Sequence, residues 1–391
     1  MKKDRLSEGG DIGEERTAGT KLPPKPPPPK VPKGLKDDRF GGKLVKPGDV
    51  VQVDLKVSET VSHQPGRIPV IIIRGEKPGP TMYVTSAVHG DEINGVAIVR
   101  HLIAGLAGRL DKGTLIAVPV ANRFGFDSND RYLPDRRDLN RHFPGDAKGH
   151  MAARIADHLF RKVVQISDAG IDLHTAAAGN ANLCHIRGNA DNSLVKDLMR
   201  ATGVPVLVHS DGPKGSLRRA ATEAGVPSIL FEAGEAGRFH RHAVEIGHHA
   251  VLQLLAAAEM VEGRFRRPAF QTLVRRSEWV RSDHGGIVDL RVEPGDLLAK
   301  GQEIGAIYDP YGHHVDHIVA DRSGVVLGIA TDPLINPGMA LVHVGELDKT
   351  LQAAKDYVAT GGDLGYIRWK PPQEKASRAR NAKLGGKAPD S

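Results

Sequence analysis

The chain predicts an α/β fold followed by a small all-β unit, and three patterns carry that prediction. Between Leu44 and Met260, apolar runs of strand length alternate with amphipathic stretches of helical period. Beyond Gln271 the helical period stops and short strand-and-turn units take over. At both ends the chain is basic and proline-punctuated, with neither period. These patterns divide it into a disordered leader (1–39), an α/β unit (40–265), a β unit (266–350) and a mobile basic tail (351–391).

In the leader, Lys21-Leu-Pro-Pro-Lys-Pro-Pro-Pro-Pro-Lys30 lacks the amide donors that helix and sheet need, so it should be extended and solvated. Val50 to Val57 and Ile68 to Arg74 read as strands leading into the sheet. Met82 to Ala87 is a buried strand, broken at Gly90, and Ile93 to Leu106 follows as an amphipathic helix. Thr114 to Val120 is the next strand, and Met151 to Ser167 a helix with apolar spacing at Ile155, Leu159 and Val163. The roughly thirty residues between them form a polar, arginine-rich loop, a length that inside a compact domain usually marks function. Ala169 to His174, Val204 to His209 and Ser228 to Glu232 complete the strands, and His242 to Met260 closes the unit as a helix.

The β unit contains a weak repeat. Gly286-Ile-Val288 precedes Gly301 and the strand Glu303 to Tyr308; Gly324-Val-Val326 precedes Gly338 and the strand Met339 to Val344. Two such hairpins suggest a barrel or sandwich of two halves, similar to the biotinyl/lipoyl type of domain. No lysine stands at a hairpin tip, which argues against a swinging-arm carrier.

Bulk properties narrow the function. The formal charge is +7, but the leader and residues 368–391 carry about +3 and +5, leaving the middle near −1, so the basic balance describes the ends and not a nucleic-acid groove. No apolar run approaches the roughly 18 residues of a membrane helix, and the first residues lack the apolar core of a signal peptide. The expectation is a cytoplasmic protein with no nucleic-acid or membrane partner, its oligomeric state open. The single cysteine, Cys184, excludes a cysteine-rich zinc site, so a metal would rest on histidines and carboxylates.

The chemistry is placed on the strand-to-helix turn. His89 and Glu92 stand three residues apart there, close enough to meet one ion at about 2 Å. A second His-x-x-Glu, His242-Ala-Val-Glu245, lies within a helical run and reads as a solvated face. His174 ends its strand, where sites of α/β sheets assemble, and can deliver a third ligand. Two histidines and a glutamate leave one position open, the catalytic zinc arrangement that polarises a carbonyl and acidifies water. Glu232, ending another apolar strand, is the candidate general base, with Glu235 as its rival. Arginines in the long loop imply an anionic substrate, since the guanidinium fork binds carboxylates and can stabilise an oxyanion; Arg136 and Arg137 are expected to face water.

Four ordered segments, His89-Gly-Asp-Glu92, Asp138-Leu-Asn-Arg141, Asp172-Leu-His174 and Phe231-Glu232-Ala-Gly234, together resemble the succinylglutamate desuccinylase and aspartoacylase family, related to zinc carboxypeptidases. The resemblance spans roughly Leu44 to Gly345. It implies a mixed sheet flanked by helices, with the C-terminal β domain narrowing the mouth to small substrates. It implies one zinc per chain on His89, Glu92 and His174, with Glu232 as base and acid. It also implies Asn140 and Arg141 gripping a substrate carboxylate and Arg131 polarising the scissile carbonyl. The expected activity is a zinc-dependent hydrolase of linear amides, releasing an acid and an amine from a small anionic N-acyl amino acid. A peptide-cleaving metallocarboxypeptidase and a non-catalytic protein binding through its basic tails are the competing readings.

Overall fold

The structure is a computed structural model describing residues 35, 38–59, 62–263, 270–347 and 350–359. The proline-dense stretch and the tail beyond residue 359 lie outside them.

A short ribbon of β1 (Arg39–Phe40) and β2 (Lys43–Leu44) precedes the α/β part. There follow β3 (Val50–Glu59), β4 (Pro65–Arg74), β5 (Lys77–Ser86), α1 (Asn94–Leu106), β6 (Lys112–Val118), α2 (Arg123–Ser128), α3 (Met151–Leu159) and β7 (Ala169–Ala176). Next come β8 (Asn180–Gly188), α4 (Ser193–Ala201), β9 (Val206–His209), α5 (Leu217–Glu223), β10 (Ser228–Glu235) and α6 (Arg241–Ala257). The strands lie side by side in the order β3-β4-β6-β5-β7-β10-β8. Pairs β5/β6, β5/β7 and β7/β10 are parallel, whereas β3/β4, β4/β6 and β8/β10 are antiparallel, so the sheet is mixed.

Helices cover both faces, which is why the central strands read as continuous apolar runs. Alternate side chains of β5 go opposite ways. Met82 and Val84 join Ile98, Leu102, Phe231 and Leu254 under α1 and α6. Tyr83 joins Ile72, Leu159 and Leu217 under α3 and α5, and its hydroxyl donates to Ser228 Oγ at 2.7 Å. Cys184 is buried in the first layer, and burial pushes its thiol pKa up to about 12, in keeping with a packing residue and not a nucleophile.

The C-terminal part comprises β11 (Thr272–Val274), β12 (Ser277–Arg281), β13 (Gly286–Leu290), β14 (Leu297–Leu298), β15 (Glu303–Tyr308) and β16 (His314–Val319). It continues through β17 (Gly324–Ala330), β18 (Leu334–Ile335), β19 (Ala340–Glu346) and α7 (Leu351–Ala359). The sequence repeat becomes two antiparallel pairs, β13/β15 and β17/β19, which exchange short strands: β14 pairs with β17, and β18 with β13. The pair β13/β15 belongs to a four-stranded sheet, while β17, β19 and β12 join the large sheet through the contact of β17 with β8, which with β9, β11 and β14 counts 13 strands. Leu298, Ile304, Val326 and Val344 form the core between the two layers.

Two findings differ from the sequence expectation. The segment Leu351–Ala359, expected as mobile tail, is helical, because Ala354 and Leu351 pack on Val206, Val274 and Leu327. Strand β8 and helices α4 and α5 lie outside the sequence expectation. Along β8 the polar Asn182, His185 and Arg187 bond to other polar groups and interleave with the buried Leu183, Cys184 and Ile186. Among the described residues no helix is long and apolar enough to cross a membrane.

Phe231, 1% exposed, packs where β10 meets α6. Phe231→Ala is expected to destabilise the fold by about 3–5 kcal/mol, the cost of an aromatic cavity in a packed core, measured by urea unfolding.

Candidate metal centre

Three segments converge at the C-terminal ends of β5, β7 and β10. Ala87, at φ 48°, turns the chain out of β5 into the loop that carries His89 and Glu92. Gly90 presses against the next loop, where a Cβ would fall 2.0 Å from the carbonyl carbon of Gly125, so only glycine fits. That next loop is stitched to β5 by backbone bonds from Ala121 to Ser86 and from Asn122 to Ala87. Asn122 also caps α2, accepting from Gly125 N.

Glu92 is the hub. Its Oε1 lies 2.6 Å from His89 Nδ1 and accepts from Arg131 Nη1 at 3.0 Å; its Oε2 lies 2.8 Å from His174 Nδ1 and accepts from Thr175 N at 2.9 Å. The three side chains are 3%, 1% and 4% exposed for His89, Glu92 and His174. Each imidazole turns its other nitrogen to a carboxylate: His89 Nε2 to Asp138 Oδ1 at 3.0 Å, and His174 Nε2 to Asp172 Oδ2 at 2.8 Å. Asp172 is held in turn by Thr85 Oγ1 at 2.6 Å, and Asp138 caps the short turn Leu139–Arg141 through Asn140 N.

This donor set fits a divalent cation. One ligand atom from each of His89, Glu92 and His174 lies within 4.8 Å of the others. Both Nδ1 atoms face the shared carboxylate, and both Nε2 atoms are backed by carboxylates, the outer partners that orient metal-binding histidines and raise their basicity. Without a cation, burial opposes charge on all three groups, yet their attraction wins: His89 and His174 are raised above the ordinary histidine value and Glu92 is held well below the carboxylate range.

Glu232 stands beside His174, its direct register partner on the neighbouring parallel strand. Asn182 Nδ2 donates to Glu232 Oε1 at 3.0 Å. Burial raises the Glu232 pKa, and Glu92 adds to the rise, against Arg187 and His174. Glu235 lies past a register break, bonded to Thr331 Oγ1 at 3.1 Å and 3.4 Å from Arg238. The half-buried Arg131 spans Glu92 and Asp138. Asn140 is buried, its Oδ1 accepting from Leu217 N, which leaves Nδ2 as a donor. Arg141 is 44% exposed and 3.7 Å from Asp138. Arg136 and Arg137 are exposed, and so are His242 and Glu245 on α6, as expected.

Residues 78–258 match the succinylglutamate desuccinylase/aspartoacylase catalytic domain. Those residues carry that family's catalytic domain. The matched segment contains the candidate His89-Glu92-His174 cluster, Arg131, Asn140, Arg141 and Glu232. An N-alpha-acetyl-L-2,4-diaminobutyric acid deacetylase from Halomonas elongata is 28% identical over 302 residues, 73% of this chain and 87% of that protein. A family structure from Rhodobacter sphaeroides is 25% identical, covers 80% of this chain and 98% of its own, and superposes with a TM-score of 0.69. The ectoine utilization protein of Ruegeria pomeroyi, in a product-bound structure, shares the fold at TM-score 0.70 and 24% identity, covering 82% of this chain and 98% of its own.

Asp138 and Asp172 belong to segments the sequence singles out, but their pairing with the histidines was not read from it. For Asp172 a signal existed, because residues two apart on a strand share a face.

The raised histidines set the pH response. In the metal-free fold their charged forms stabilise fully below the ordinary histidine pKa of about 6.5, a contribution lost as pH rises through the raised values. A metal requires both neutral, so loading near pH 7 should release protons, and affinity should fall as pH falls. Titration calorimetry of zinc in buffers of different ionisation enthalpy checks this. Asp172→Asn should weaken metal affinity by about 10- to 100-fold.

Proposed function

We propose that this chain is a zinc-dependent amidohydrolase that cleaves a small anionic N-acyl amino acid to a carboxylic acid and a free amine. The observation that carries the reading is the buried His89-Glu92-His174 cluster with Glu232 in register beside it. The deacetylase named for the Halomonas elongata relative supports the class of reaction.

Zinc held by His89 Nδ1, Glu92 and His174 Nδ1 would polarise the amide carbonyl and lower the pKa of a water. Glu232 then serves as proton carrier. One of its oxygens is fixed by Asn182, the other can take a proton from the attacking water, and desolvation gives the carboxylate the raised proton affinity this needs. As the C–N bond breaks, the same proton passes to the leaving nitrogen. Arg131 is pinned by Glu92 and Asp138, so its guanidinium is held in place before charge develops on the carbonyl oxygen. Asn140 Nδ2 and the exposed fork of Arg141 are the donors for a substrate carboxylate.

Glu232→Gln should retain about one zinc per chain by elemental analysis while kcat falls by at least about a hundredfold on acetyl-, succinyl- or aspartyl-type amides. Near-normal turnover by that variant would place the proton carrier elsewhere.

A further inference from the structure

Strand β8 changes neighbours along its length. Asn180 to Asn182 pair with β17, whereas Ile186 to Gly188 pair with β9. The sheet forks between these contacts, and beside the fork lies a cleft of about 460 Å³ lined by Arg187, Ser210, Arg276, Trp279 and His343 among others. Nothing in the proton-transfer chemistry above uses it.

Arg187 is the anomaly. It is half-buried, yet among the described residues its only hydrogen bond is from Nε to His185 Nε2 at 2.8 Å, and it has no carboxylate within ion-pair distance. His185 is buried, and its Nδ1 donates to Leu183 O at 2.7 Å, which fixes Nε2 as the acceptor and aims the guanidinium. Both Nη groups, four N–H donors, are left for a ligand. On the far wall His343, 7% exposed, stacks on Trp279 at 4.8 Å with 9° between the rings, and its Nδ1 has no partner among the described residues. Burial and Arg187 hold His343 down to about 3, so it is neutral and Arg187 is the inner charge of the cleft. Of the rim charges, Arg275 is paired with Asp191 and Glu278 with Arg322. Arg187 acts on Glu232 through space, but with no carboxylate in contact its two Nη groups are matched in charge and geometry to an added carboxylate.

We propose that Arg187 is a specificity-determining residue and that the cleft it lines is a carboxylate subsite, on the opposite side of Glu232 from the metal ligands. Register places it there: Arg187 lies opposite Leu230 on β10, and Glu232, two residues on, lies beside His174 on the other side. The stacked Trp279 and His343 form a planar wall for the methylenes behind the carboxylate. The assignment rests on the amidohydrolase reading for the identity of the substrate, but not for the binding of an anion.

The test uses the full chain with Trp369→Phe, which leaves Trp279 as the only indole. Succinate added to the metal-free protein should change Trp279 fluorescence, and Arg187→Met should weaken this binding by about 10- to 100-fold, the range for a charge-assisted contact. On the zinc-loaded enzyme, Arg187→Met should raise KM by a similar factor only for substrates bearing the carboxylate that Arg187 holds; because Arg187 also holds down the Glu232 pKa, any change in kcat should be the same with and without that carboxylate. An N-acetyl amino acid, its α-carboxamide and an N-succinyl amino acid amide distinguish an amino-acid carboxylate from an acyl-side one. Arg187→Lys keeps the charge without the fork, should give an intermediate loss, and serves if the methionine variant does not fold. Unchanged succinate affinity in either variant, or equal rises in KM on substrates with and without carboxylates, would overturn the proposal. If no amide is cleaved at all, the reaction assignment fails, while the succinate titration still decides the role of Arg187.

Discussion

A single buried carboxylate holds the centre together. Both oxygens of Glu92 are in use, one between His89 and Arg131 and the other between His174 and the amide of Thr175. Those partners come from the turn after β5, the long polar loop and the end of β7, so one side chain ties together three segments remote in sequence. Burying an unpaired carboxylate would cost several kcal/mol, and four donors offset that cost only if all three segments keep their places. The cluster is therefore preorganised by the charge it has to shelter.

The same logic extends outward. Asp138 and Asp172 restrain the imidazoles from behind, and each is restrained in turn, by the turn it caps or by Thr85. The centre is thus a layered network of alternating charge in which each member limits the rotamers of the next. Positions set by the sheet do the rest, since the parallel register of β7 and β10 puts His174 and Glu232 side by side.

How much of this was readable in the sequence follows from how local each determinant is. The strand-and-turn placement of His89 and Glu92, and the strand-end positions of His174 and Glu232, depend on periods of a few residues and were legible. The partnership of His89 with Asp138 was not, because it depends on the path of a loop that brings together residues 49 positions apart. The hairpin repeat was visible as spaced glycines, but nothing local says that β17 and β19 join the large sheet while β13 and β15 do not. Strand β8 escapes recognition for a related reason: Asn182, His185 and Arg187 are interleaved with the buried Leu183, Cys184 and Ile186, which leaves an apolar run too short to stand out.

The divided loyalty of β8 has one more consequence. Its first residues are anchored to the C-terminal layer and its last to β9, so the gap between them is bounded by that layer, whereas His89, Glu92 and His174 stand on the turn after β5 and on β7. Substitutions along the seam can therefore reshape that gap while the buried cluster on the neighbouring strands keeps its geometry.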